Sequence, residues 1–196
     1  MVYGYATRGI IGNPPVVRWV MWSILGRMTA LTLDQMLETE ALFHRVARTG
    51  LDDYLKPDLT QVVVSSSGDE YERAQQLLRP MTMRDEHCRA VQGMLCRALR
   101  HKLVTEHPGE LLVVGAHGLA AGPDPDGVSA VGRRLQMMLA SVHAYLHERP
   151  QHAWEIVAPC TTADRVIVLG FTAVLLRKAV TGDVDLEPVD QDGPIR

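Results

Sequence analysis

Arg165-Val166-Ile167-Val168-Leu169-Gly170-Phe171-Thr172-Ala173-Val174-Leu175-Leu176-Arg177-Lys178-Ala179-Val180 is the stretch on which the fold turns. Its opening run, Val166 to Leu169, is short, continuous and rich in β-branched residues, the form of a strand buried on both faces. The part from Thr172 to Val180 then reads as a helix leaving that strand. Three more runs share the first pattern: Gln61-Val62-Val63-Val64, closed by Ser65 to Gly68; Glu110-Leu111-Leu112-Val113-Val114, closed by Gly115-Ala116-His117-Gly118; and Trp154-Glu155-Ile156-Val157, closed by Ala158-Pro159-Cys160. Amphipathic stretches separate them. One spans about residues 69–78, with Ser67 as a side-chain acceptor for its start. A second, about 84–104, carries Cys88, Val91, Met94, Leu95, Ala98 and Leu99 on one side. In a third, Val128, Val131, Leu135, Met138, Val142 and Tyr145 repeat at three and four, and Pro150 closes it. The alternation predicts an α/β domain over residues 57–181, with a mainly parallel sheet flanked by helices.

Outward from that body, residues 1–56 read as a helical N-terminal segment. Pro14 and Pro15 suit a helix start, and Val16, Trp19, Val20, Ser23 and Ile24 fall at helical spacing. Thr32, followed by the polar Gln35, predicts an N-cap for a second helix that stops near Gly50, with Leu33, Met36, Leu37, Ala41 and Val46 as its core stripe. Residues 182–196 are acidic and hold Pro and Gly, which predicts a flexible tail.

The chain has 196 residues, 46% hydrophobic and 22% charged, with a formal net charge of -3. A chain of this length buries enough surface to fold without disulfides or a structural metal. Its 20 basic and 23 acidic residues form no long run of either sign, so no nucleic-acid partner is expected. Arg18 and Arg27 interrupt the apolar segment from Pro15 to Leu31, so neither a membrane span nor a signal peptide is expected. Three Cys suit a reducing cytoplasm. His143 and His147 have metal-binding spacing, but no third ligand is indicated, so no metal and no cofactor are expected.

In a parallel sheet, chemistry collects where strands end. His117 ends one expected strand and Cys160 another. On neighbouring strands, the imidazole would draw the thiol toward thiolate and later protonate a leaving amine.

These two motifs carry a resemblance. The stretch from Val62 to Val180 resembles the caspase-like (clan CD) cysteine peptidases, including bacterial caspase-like and CHAT domains, in which one apolar strand ends in His-Gly and a later one in the catalytic Cys. The resemblance implies His117 as general base, Cys160 as nucleophile and the Gly118 backbone N–H as oxyanion donor. The chain departs from the family at Pro159, where a small residue is common, and at Thr161-Thr162, where a polar residue and then Gly are usual. The same strand, with Gly118 and Gly127-Val128-Ser129, also resembles the nucleotide-binding loop of universal stress proteins. A third reading is a non-catalytic interaction module with a protein or peptide partner. It binds a partner, or a second copy of the chain as an oligomer, through the N-terminal helices, where Trp19 and Trp22 suit an interface.

Overall fold

The structure, a computed structural model, describes residues 30–48, 50–67, 70–106, 113–114, 130–183 and 186–187. Among these, seven helices form: α1 (Leu33–Val46), α2 (Leu51–Val64), α3 (Tyr71–Thr82), α4 (Asp85–Glu106), α5 (Ala130–Leu146), α6 (Pro150–Val157) and α7 (Thr162–Thr181). The strands β1 (Val113–Val114) and β2 (Leu186–Glu187) pair antiparallel, Val113 with Glu187 and Val114 with Leu186. The expected α/β fold with a mainly parallel sheet is therefore overturned: the described residues make a helical bundle.

Three expected strands are helical. Gln61 to Val64 is the last turn of α2, where Leu55, Leu59, Val62 and Val63 make one buried stripe. Trp154 to Val157 belongs to α6, which starts on Pro150, the residue preorganised for a first helical turn. Val166 to Leu169 and Thr172 to Val180 are one 20-residue helix, α7. It packs against α1, α2, α3, α4 and α5, and from Phe171 to Arg177 every residue is buried. A helix surrounded by others is apolar all round and shows no amphipathic period. The fourth expected strand is seen only as β1.

Of the other expectations, some stand and two do not. Thr32 caps α1: its hydroxyl accepts from the Gln35 N–H at 3.3 Å, and the Gln35 side-chain oxygen accepts from the Thr32 N–H at 3.0 Å. The apolar stripe of α4 is buried from Cys88 to Leu99, and Leu135, Met138 and Val142 of α5 are buried as expected. The stripe assigned to α1 faces the wrong way, for Leu33 and Leu37 are exposed while Thr39, Leu42 and Phe43 are buried. Thr39 enters the core because its hydroxyl donates to the Gln35 carbonyl at 2.8 Å. Among the described residues Ser67 makes no capping bond with its side chain; α3 begins after Glu70, whose N–H donates to the Ser67 carbonyl.

Three side chains tie helices to one another. Arg177, wholly buried on α7, donates to the Val63 and Val64 carbonyls and closes the C-terminal end of α2. Arg165, near the start of α7, donates to Asp85 at 2.6 Å and to the Ala158 carbonyl at 2.5 Å, with its guanidinium 5.6 Å from the centre of the Trp154 ring. Gln92 of α4 donates to the Ser141 hydroxyl of α5 at 2.6 Å and to the Ala153 carbonyl of α6 at 2.8 Å. Together, Arg165 and Gln92 fix α5, α6 and the start of α7 against α4.

Candidate functional site

His117 and Gly118 lie outside the described residues, as do Trp19, Trp22 and the stretch from Gly127 to Ser129. Cys160 is described and does not end a strand. It sits in the turn between α6 and α7, where its thiol donates to the Ile156 carbonyl at 3.7 Å. Burial and the Asp164 carboxylate push the Cys160 thiol up, against a smaller pull from Arg165, so the local field opposes the thiolate that a nucleophile needs. Burial raises Cys88 to about 11 and Cys96 to about 12, as suits core thiols. His143 is half-buried and His147 exposed. Among the described residues no group of three or more His, Cys, Asp or Glu is placed to hold a metal.

The structure instead opens a groove along α4. It has a volume of about 550 Å³ and lies between the α1–α2 connection on one side and the end of α5 with α6 on the other. At 1.5 Å per residue, the lining face of α4 from Asp85 to Arg97 runs about 18 Å.

At one end sits a built network. Arg97 donates through Nε to the Val46 carbonyl at 3.0 Å, closing the end of α1, and through Nη2 to Asp52 at 2.5 Å. The same Asp52 oxygen accepts the Arg48 backbone N–H at 2.8 Å. Gly93 makes room for this, because a Cβ there would lie 2.9 Å from Arg97 Nη1 and 3.0 Å from the Tyr145 hydroxyl. Arg97 and Asp52 thus neutralise each other as the wall, leaving the exposed Arg48 side chain beside them.

The opposite end is acidic. Asp85 and Glu86 open α4, where carboxylates face the positive end of the helix dipole. Asp85 is held by Arg165, whereas Glu86 is exposed and makes no ion pair among the described residues. Between the ends lie Arg89, bonded among the described residues to the neutral Gln151 at 2.7 Å, and Trp154.

Gln92, 1% exposed, lines the middle. The Ala153 carbonyl can only accept, so it fixes which end of the Gln92 amide is nitrogen. Both amide hydrogens are then spent on Ser141 and Ala153. The carbonyl oxygen of Gln92 accepts no hydrogen bond among the described residues and is not one of the fully buried unpartnered atoms, so it is open to accept from water or a ligand.

This groove is not legible in the sequence. Its one signal was Gln92, a polar residue on the apolar stripe of α4, four positions after Cys88 and three before Leu95. Arg48, Asp52 and Trp154 are far from it in sequence and meet it only through the helix packing. No protein-family model, no curated protein and no solved structure matches the chain.

Proposed function

We propose that this chain is a binding domain of the reducing cytoplasm whose α4 groove holds a charged, polar ligand presented by a protein or peptide partner. The observation that carries the reading is the set of lining groups that make no hydrogen bond or ion pair among the described residues: the Gln92 carbonyl, the Glu86 carboxylate and the Arg48 guanidinium. A groove needed only for packing would be filled with apolar side chains at interior density. Here charges of both signs flank an indole and an unused amide acceptor, the few placed polar groups by which a site fixes orientation. The three thiols are free, which suits a reducing compartment. Among the described residues no helix is long and apolar enough to cross a membrane.

Two small probes test the reading: N-acetyl-lysine amide and N-acetyl-glutamate amide, titrated to millimolar concentration while the Gln92 side-chain amide and the Trp154 indole N–H are followed by two-dimensional NMR. Both signals are expected to shift and saturate. The response to the lysine probe should weaken in Glu86→Gln, and that to the glutamate probe in Arg48→Gln. Unmoved signals, or equal responses in the variants, would overturn the proposal.

A further inference from the structure

The groove is long, charged differently at its two ends and supplied with one hydrogen-bond acceptor at its middle. Resting on the binding reading above, we infer that its ligand is a short extended peptide segment, with a basic side chain at Glu86, an acidic one at Arg48, and a main-chain N–H donated to the Gln92 carbonyl between them.

Length supports a peptide over a compact metabolite. About five residues in extended conformation, at roughly 3.3 Å each, cover the roughly 18 Å from Asp85 to Arg97. Charge supports a dipolar segment. At the Glu86 end the Asp85 carboxylate is matched by Arg165, so Glu86 is the acid left to meet a cation. At the other end the Asp52 carboxylate is matched by Arg97, so the Arg48 guanidinium is left to meet an anion. Arg89, one turn from Glu86 and about 12 Å of helix rise from Arg97, is engaged by the neutral Gln151 at 2.7 Å. A repeating backbone suits the middle, since it offers an N–H at regular intervals whichever side chains it carries. Gln92 is held by Ser141 and Ala153, so its acceptor is already oriented and little rotamer freedom is lost when it is used. Trp154 gives the peptide an apolar contact beside it.

The experiment uses blocked peptides and the full chain. The probe is acetyl-Lys-Ala-Ala-Ala-Glu-amide, measured by isothermal titration and NMR against the all-acidic (Glu at both ends) and all-basic (Lys at both ends) analogues. The dipolar peptide should bind about tenfold tighter than either, as expected when one exposed ion pair becomes a like-charge contact. Methylating the nitrogen of the central alanine should weaken it about fivefold, the loss of one hydrogen bond. Glu86→Lys should reverse the preference in favour of the all-acidic peptide. Equal affinity for the three peptides, or a dipolar peptide no tighter than the single amino-acid amides, would overturn the inference. If the amides still shift Gln92 and Trp154 in that case, the binding reading survives without the peptide; if nothing binds, both fall.

Discussion

At Gly170 a Cβ would collide with the hydroxyl of Tyr71, so the close approach of α3 to α7 depends on a residue with no side chain. Both residues are buried in a close-packed core. Gly170→Ala should therefore cost about 1–3 kcal/mol through overpacking, although alanine favours a helix interior by about 1 kcal/mol over glycine. Removing the hydroxyl should undo the loss. Against Tyr71→Phe the nearest contact becomes a ring carbon at 3.2 Å, so adding Gly170→Ala there should be close to neutral. Denaturant unfolding of the two single variants and the double variant checks this. Equal costs of Gly170→Ala in both backgrounds would show that the hydroxyl is not the obstacle. Residue-scale features of this kind were partly legible. The Thr32–Gln35 capping box stood in the sequence because its partners are three positions apart. The Gly170–Tyr71 fit did not, because it exists only once two distant helices meet.

Among the elements, the amphipathic helices were legible and the fully buried ones were not. The apolar positions of α4 and α5 recur at three and four, and that period is the signature of one buried face. α7 has no such period because other helices surround it, and a short β-branched run taken alone does not separate a buried strand from a buried helix. Its ends hold the better signal. Thr161 caps α7 and accepts the Asp164 N–H at 3.2 Å, while the Asp164 carboxylate accepts from the Thr161 hydroxyl at 2.7 Å and from Arg134 of α5 at 2.6 Å. The Thr161 hydroxyl, and then Arg134, hold the Asp164 carboxyl below its ordinary 3.8 against a smaller opposing effect of burial. The charged form therefore favours folding. Its contribution is complete above the unfolded value and is lost as pH falls through the lower folded one. Asp164→Asn should cost about 1 kcal/mol near neutral pH, in line with a helix cap and one partly exposed ion pair. The gap from wild type should close as pH drops below 3.8. Unfolding curves at neutral and acid pH measure it, and a gap that stays constant would show that the carboxylate charge is not the source.

For the whole molecule, helix packing decides what the sequence displays and what it hides. Length, cysteine use and the positions of most helices could be read locally. The wrong architecture came from placing four apolar runs in a sheet. With the sheet goes the strand-end argument that would have brought His117 and Cys160 together. The groove was hidden for the same reason, since Arg48, Gln92 and Trp154 share it only because Gln92 and Arg165 fix α5, α6 and α7 against α4. That arrangement requires α7 to run unbroken through Gly170. Amide hydrogen exchange over residues 162–181 tests this most directly. One continuous helix among five others predicts slow exchange from Val166 to Val180 without interruption at Gly170, at rates set by global unfolding. Fast exchange at Gly170 to Thr172, dividing a protected Val166–Leu169 from a separate helix after it, would contradict the helical bundle and the groove built on it.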